Sequence, residues 1–160
     1  MIDSAGAPRH DARVLNVYVA GGSIEVARVA AFIERLKASG LVRITYDWTP
    51  DVIANGSSVT SAVRNEATAR AELAGVLTAD LVVMLTPERG STGAGFELGH
   101  ADAAGRRIVC VGPHLPRFFF GVLFEEVASE DEALALVLDA AVSRAAHVRF
   151  AQLLDEEDGD

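Results

Sequence analysis

Short apolar runs alternate with helix-compatible segments along this chain, and this alternation constrains its fold more than any other feature. Predicted strands, which are apolar or alternate between apolar and polar residues, lie at residues 14–20, 41–46, 81–85, 107–111 and 122–127. Helical patterns cover residues 24–39, 63–78 and 97–104, and a last one runs from the capping-box signature Ser129-x-x-Glu132 to about residue 154. Strands that alternate with helices pair in parallel. The pattern predicts an α/β fold with a doubly wound, five-stranded parallel sheet, flavodoxin-like strand order 2-1-3-4-5, and helices on both faces.

The length favours a single domain. With 160 residues, half of them apolar, the chain is long enough for one proper core and too short for two. Residues 1–12 mix Gly, Pro, Ser and Asp without periodicity, which predicts a flexible leader before a domain at 13–154. Residues 155–160 carry five carboxylates and are predicted to form a solvated acidic tail.

Charge and cysteine usage exclude several classes of protein. The net charge of −9 argues against a nucleic-acid polymer as partner, whereas a small anion held by backbone amides remains compatible with it. The single cysteine, Cys110, lies in an apolar run, so neither an intramolecular disulfide nor a cysteine metal cluster is expected. No apolar run approaches the roughly 20 residues of a membrane span. We therefore expect a cytoplasmic protein that binds a small molecule and not a membrane.

The stretch from Ser91 to His100, with the sequence STGAGFELGH, concentrates the candidate chemistry. It follows an apolar strand and leads into a helix, which places it at the carboxyl edge of the sheet, where ligands bind. Gly93 and Gly95 can take positive φ and approach a ligand closely, while Glu97 is expected in the first helical turn, where the dipole keeps a carboxylate ionised. Such a carboxylate can attack an electrophilic carbon. The alternative is an ordinary helix N-terminus, at which Glu is favoured anyway.

Two side chains are expected near Glu97. The predicted strand order makes the first and third strands neighbours, so Tyr18 can approach Glu97 and donate a hydrogen bond that fixes its rotamer. Tyr18 is otherwise an ordinary strand residue. His100 follows Glu97 on roughly the same helix face and can donate to a leaving group or phosphate, or else be structural or solvent-facing.

Four further residues are candidates for ligand contact or catalysis. Gly21 and Ser23 lie in the turn after the first strand, but this turn does not form G-x-G-x-x-G, so a dinucleotide site is set aside. Trp48 is placed in a loop over the sheet edge, where it either stacks on a base or sugar or caps the core. Glu72 lies on a helix, where a solvated position is usual.

Metal and cofactor chemistry have little support in the sequence. The four histidines lack metal-ligand spacing beside an acidic cluster, and no G-x-S-x-G elbow indicates a serine hydrolase. We expect neither a metal nor another cofactor. The apolar segment Phe118-Phe-Phe-Gly-Val-Leu123 exceeds what one small core can take, which predicts at least a homodimer.

Several motifs resemble the nucleoside 2-deoxyribosyltransferase superfamily over about residues 14–112. They are Val17-Tyr-Val-Ala-Gly21, Ala79-Asp-Leu-Val-Val83, Ser91-x-Gly-x-Gly-Phe-Glu-Leu-Gly99 and Ala101-x-Ala-x-Gly-Arg-Arg-Ile-Val-Cys110. The resemblance implies a flavodoxin-like domain that cleaves the N-glycosidic bond of a nucleoside or nucleotide through a covalent ribosyl-glutamate. By this resemblance Glu97 is the nucleophile and Tyr18 orients it, while Glu72 stands where the family commonly has an aspartate.

The resemblance also bears on the substrate. The family's transferases usually have an acid where this chain has Ser91, whereas the branch that hydrolyses 2'-deoxynucleoside 5'-monophosphates has a serine that helps to hold the phosphate. An anion nest of Ser91, Gly93 and Gly95 would favour a 5'-monophosphate, while Glu25 and the position of Arg28 oppose it. The alternatives are a transferase with a free base as acceptor and a non-catalytic nucleotide-binding or sensor module.

Overall fold

A five-stranded parallel sheet forms the centre of the molecule. The computed structural model describes residues 14–56, 62–88, 90–112 and 124–157. Within these ranges the strand order is β2-β1-β3-β4-β5, and every neighbouring pair is parallel. The strands are β1 Leu15–Ala20, β2 Val42–Ile44, β3 Leu81–Leu85, β4 Arg107–Val111 and β5 Glu125–Val127. The helices are α1 Val26–Ala38, α2 Thr49–Asn55, α3 Ala62–Thr78, α4 Thr92–Ala103 and α5 Glu130–Glu157. The predicted fold class and strand order are confirmed.

The two central strands, β1 and β3, carry the core. Every residue of both strands is buried, as expected for parallel strands covered on both faces. Tyr18 pairs with Val82 and Ala20 with Met84 across them. On the helical layers, α1 contacts α5 and α3 contacts α4. Cys110 lies in this core as a free thiol, as its apolar run predicted.

The region after β2 differs from its prediction. β2 is shorter than the apolar run at residues 41–46, and residues 49–55 form α2 where a loop was expected. Pro50 fits the first turn of this helix because its missing N–H has no partner there anyway, and the Asp47 carboxylate accepts the Thr49 N–H. Gly56, with φ of 75°, ends the helix.

The last helix begins as predicted and continues beyond the predicted end. The Ser129 hydroxyl accepts the N–H of Glu132, whose carboxylate accepts the N–H of Ala128, which completes a capping-box arrangement. α5 then extends to Glu157, so residues 155–157 of the predicted acidic tail are helical. The predicted leader and the phenylalanine run lie outside the described residues. Within the described ranges, no helix combines the length and apolarity that a bilayer crossing requires.

Candidate active site

A buried tyrosine–glutamate pair lies at the carboxyl edge of the sheet. Tyr18 extends from β1, Glu97 from α4, and the Tyr18 hydroxyl donates to Glu97 Oε1 over 2.7 Å. Tyr18 is fully buried and Glu97 is 8% exposed. The predicted approach of these two side chains is confirmed, because the strand order makes β1 and β3 neighbours and α4 follows β3 directly.

The glycine-rich stretch is helical from Thr92, which corrects the predicted loop. Ser91 is the N-cap residue, and its hydroxyl accepts the N–H of Ala94 over 3.3 Å. Gly93 and Gly95 both lie inside α4, and neither has positive φ. The Gly95 amide donates to the Ser91 carbonyl over 3.1 Å, so it is not available to a ligand as the predicted anion nest required. The Ser91 cap, which a serine before a glycine-rich run permits, explains the earlier helix start.

This earlier start changes the electrostatics of Glu97. The side chain lies in the second turn of α4, beyond the first turn in which the helix dipole acts strongly. Burial raises the pKa of Glu97 to about 7, the Tyr18 hydrogen bond lowers it, and the nearby charge of Glu72 raises it. The expectation that the dipole keeps this carboxylate ionised is therefore wrong. Near neutral pH the group is poised between its two forms.

Tyr18 acts only as a donor in this pair. Its burial and the adjacent Glu97 carboxylate hold the pKa of Tyr18 well above its ordinary value. The hydroxyl therefore keeps its proton, and its hydrogen bond occupies Oε1 of Glu97. Oε2 remains as the oxygen with which Glu97 can react.

A cavity of about 190 Å³ opens above Glu97. Its lining combines small residues, two carboxylates and an indole: Gly21, Ser23, Trp48, Val52, Glu72, Ser91, Gly93, Ala94 and Glu97. Seven of the ten predicted site residues therefore meet here, and Tyr18 lies against Glu97. Gly95 and His100 are not among the lining residues.

Glu72 and Trp48 have environments that the sequence left open. Glu72 is half-buried, not on a solvated face as expected, and burial together with the charge of Asp51 raises its pKa. Trp48 is buried, and its Nε1 donates to the Val19 carbonyl over 3.0 Å. The indole thus both caps the core and lines the cavity. Because its Nε1 is bonded to Val19, the orientation of the ring is fixed before any ligand binds.

His100 has a structural environment. Its ring stacks on Phe96, one turn earlier in α4, with centroids 6.2 Å apart and an interplanar angle of 19°. Because it does not line the cavity, it is not placed to donate to a bound ligand. Within the described ranges, no group of three or more His, Cys, Asp or Glu side chains is arranged to hold a metal ion.

Gly75 is a supporting residue that the sequence reading missed. A Cβ at this position would lie 2.7 Å from Tyr46 Cβ and 3.1 Å from Tyr18 Cδ2. The absence of a side chain therefore lets α3 pack directly on the Tyr18 ring. An isolated glycine within an Ala-rich helical pattern is the signal that could have found it, since glycine costs about 1 kcal/mol there relative to alanine.

Tyr18→Phe should move the pH dependence of any activity that depends on the Glu97 carboxylate. Because the Tyr18 hydrogen bond lowers the pKa of Glu97, its removal is expected to raise that pKa and shift the acid limb of kcat/KM to higher pH. We expect a loss of about 10-fold or more at pH 6 and a smaller one at pH 8. Tyr46→Phe, a half-buried tyrosine on the same side of the sheet, is the control. An acid limb that does not move would remove Tyr18 from this role.

The fold and the cavity together define a flavodoxin-like α/β protein with its binding site at the carboxyl edge of the sheet. A family model described as Nucleoside 2-deoxyribosyltransferase matches residues 17–138. The chain belongs to this family, as its motifs predicted, and is an enzyme of the N-glycosidase or transferase type.

One solved structure gives a further comparison. The chain is similar to the CMP N-glycosidase BcmB of Clostridium botulinum, with 17% sequence identity and a TM-score of 0.48. The similarity covers 76% of this chain and 97% of the other. A comparison with curated proteins gives no match.

Proposed function

We propose that this enzyme cleaves the N-glycosidic bond of a nucleoside or nucleoside 5'-monophosphate, with Glu97 as its covalent nucleophile. The observation that carries the proposal is the hydrogen bond of 2.7 Å from the Tyr18 hydroxyl to Glu97 Oε1 at the floor of the cavity. It holds a carboxylate in one rotamer and directs its second oxygen towards whatever fills the cavity. Family membership supports a small-molecule nucleoside or nucleotide as the substrate.

In the first step, Glu97 Oε2 forms a bond to the anomeric carbon while the bond from that carbon to the base nitrogen breaks. The electron pair of the broken bond leaves with the base, and the sugar remains as an ester of Glu97. In the second step, water or a second base attacks the same carbon and the ester oxygen leaves as the carboxylate. Two displacements at one carbon retain the anomeric configuration.

Glu72 is proposed as the acid that assists the leaving base. It lines the same cavity as Glu97, and its raised pKa keeps a larger share of it protonated than an exposed glutamate would have. After giving its proton to the base, it can accept one from the attacking water. Trp48, fixed by its bond to Val19, offers an apolar face to the sugar or base.

The direct test is release of free base from a panel of nucleosides and nucleotides, followed by chromatography. Glu97→Gln serves as the inactive reference, and addition of a second free base distinguishes transfer from hydrolysis. Release of base by the wild type and not by the variant is the expected result. Specific binding without base release would instead indicate the non-catalytic nucleotide-binding alternative.

Glu72→Gln should slow cleavage according to the leaving base. We expect base release in a single turnover to fall by about 100-fold for ordinary nucleosides, since general acid catalysis contributes about 10²–10⁴. Single-turnover release precedes the step in which Glu72 would accept a proton from water, so it reports on the acid role alone. An N7-methylated purine nucleoside already carries a positive base and departs without a proton, so its cleavage should be nearly unaffected. Glu66→Gln, an exposed glutamate on the same helix, is the matched control. Equal losses for both substrates would exclude the acid role.

Two further expectations stay predictions. The predicted homodimer depended on residues 118–123, which lie outside the described residues, and the cytoplasmic location depended on sequence features alone. Neither enters the catalytic proposal.

A further inference from the structure

A second cavity of about 570 Å³ continues the catalytic cavity. The two share Ser23, Ser91 and Gly93. The larger one extends between the turn after β1 and the start of α4, and its other lining residues are Gly22, Ile24, Glu25, Pro87, Glu88, Gly90 and Thr92. A substrate that fills the smaller cavity can therefore extend into the larger one.

The proposed function fixes which part of the substrate enters this second cavity. The anomeric carbon must face Glu97, and the base must lie towards Glu72, the proposed proton donor. In a pentofuranoside, the carbon that carries the 5' group lies across the ring oxygen from the anomeric carbon. The 5' group therefore points away from Glu72, towards Ser23 and Ser91, and into the larger cavity.

The larger cavity is acidic. Among the described residues that line it, Glu25 and Glu88 are charged and no lysine, arginine or histidine is present. Glu25 Oε1 accepts the backbone N–H of Glu88 over 3.1 Å, which fixes the carboxylate in place. Its Oε2 is buried and has no hydrogen-bond partner. A buried carboxylate oxygen of this kind is completed by a donor such as a hydroxyl and is opposed by another anion.

Among the described residues, Arg28 lies beside Glu25 and offsets only part of this charge. Arg28 donates through Nε to Glu130 Oε1 over 2.6 Å and through one terminal nitrogen to the Thr86 carbonyl over 3.1 Å. It lines a neighbouring cavity that shares Glu25 and Glu88 with the larger one, and its Nη1 lies 3.8 Å from Glu25 Oε2. The carboxylates of Glu25 and Glu130 thus already share its charge, and Arg28 itself does not line the larger cavity.

The start of α4 offers little compensation. The Ala94 and Gly95 amides are bonded to Ser91, so only the partial charge of the remaining first-turn amides faces the cavity. A helix end is equivalent to about half a charge, which is less than the two full carboxylates of Glu25 and Glu88. The net electrostatic effect of these groups therefore disfavours a phosphate dianion in the larger cavity.

We infer that Glu25 determines which 5' group the enzyme accepts on its substrate. Its carboxylate accepts a hydrogen bond from a free 5'-hydroxyl and disfavours a 5'-phosphate. This inference rests on the proposed function and selects the nucleoside over the nucleoside 5'-monophosphate. The sequence predicted the opposite preference, for a 5'-monophosphate, from an anion nest of Ser91, Gly93 and Gly95. That nest does not form as predicted.

The test compares kcat/KM for a matched pair, a nucleoside and its 5'-monophosphate, in the wild type, Glu25→Gln and Glu25→Arg. Wild-type protein should prefer the nucleoside by about 30-fold or more, since juxtaposed like charges are strongly discriminating. Glu25→Gln, which is nearly isosteric, should reduce this preference by about 10-fold, and Glu25→Arg should reverse it. Glu34→Gln, on the exposed face of α1, should leave the ratio unchanged.

Binding of the same pair to Glu97→Gln, measured by calorimetry, keeps this inference separate from the catalytic proposal. If no base is released but the nucleoside binds more tightly in a manner that depends on Glu25, the proposed function fails and the role of Glu25 stands. A wild-type preference for the monophosphate overturns the role of Glu25, whatever the catalytic result. So does an equal change for both substrates in folded Glu25→Gln.

Discussion

Glu97→Gln is expected to stop base release and, at pH 8, to make the folded protein more stable than the wild type. Removal of the proposed nucleophile should slow turnover by at least about 10³-fold, which corresponds to about 4 kcal/mol of barrier. The amide oxygen of Gln can still accept the Tyr18 hydrogen bond, so the local packing is kept. The carboxylate that is proposed to perform the chemistry is therefore expected to lower the stability of the fold.

The sign follows from the pKa of Glu97, which burial raises from 4.5 to about 7 in the folded protein. Between these values the folded chain keeps a proton that the unfolded chain has lost. The free energy of unfolding therefore falls as pH rises through this window, by up to about 1.4 kcal/mol per pH unit and by about 3 kcal/mol in total. Glutamine does not titrate, so Glu97→Gln should lack this loss.

Chemical denaturation at pH 5 and pH 8 measures the effect. The stability difference between Glu97→Gln and wild type should become more favourable to the variant by about 2 to 3 kcal/mol from pH 5 to pH 8. Glu34→Gln, an exposed change of the same chemistry, should show no such pH dependence. Turnover above a few per cent of wild type would refute the nucleophile, and an equal stability difference at both pH values would refute the raised pKa.

The sequence was sufficient for the fold because its apolar runs have lengths and spacing that few topologies accept. Strand β3 is an unbroken apolar run, and β1 is interrupted only by Asn16, so both are expected to be buried on both faces. Because helical segments separate the strands along the chain, the strands must pair in parallel. Once the order is set, Tyr18 and Glu97 must converge at one edge. Their contact was therefore predictable from topology and required no knowledge of side-chain packing.

The features that the sequence did not predict are those in which the same residues are compatible with both a loop and a helix. Residues 49–55 are compatible with both a loop and a helix. The hydrogen bond from the Thr49 N–H to the Asp47 carboxylate stabilises the start of the helix. The glycines at 93 and 95 suggested a loop, but the Ser91 cap starts α4 ahead of them. Burial then decides the pKa of Glu97, and burial is a property of the assembled cavity that no local pattern encodes.

Gly75→Ala is expected to damage both the fold and the chemistry, although alanine is the better helix former. The new Cβ would lie 2.7 Å from Tyr46 Cβ and 3.1 and 3.2 Å from two carbons of the Tyr18 ring. Tyr18 is fully buried and bonded to Glu97, so its ring cannot move without displacing the Glu97 side chain. We expect a loss of about 1 to 3 kcal/mol of stability, which outweighs a propensity gain of about 1 kcal/mol.

Gly99→Ala gives the matched comparison, because Gly99 is an exposed glycine in α4 whose Cβ would meet nothing within 4 Å. At this position alanine improves the helix propensity without a steric clash. The free energy of unfolding should therefore rise by about 0.5 to 1 kcal/mol, and the melting temperature with it. Base release by folded Gly75→Ala should fall by about 100-fold, since a displacement of about 1 Å at a reacting group has that effect. Stabilisation by Gly75→Ala would show that α3 does not press on Tyr18. A destabilised Gly75→Ala with full turnover per folded molecule would show instead that the position of the Tyr18 ring does not govern Glu97.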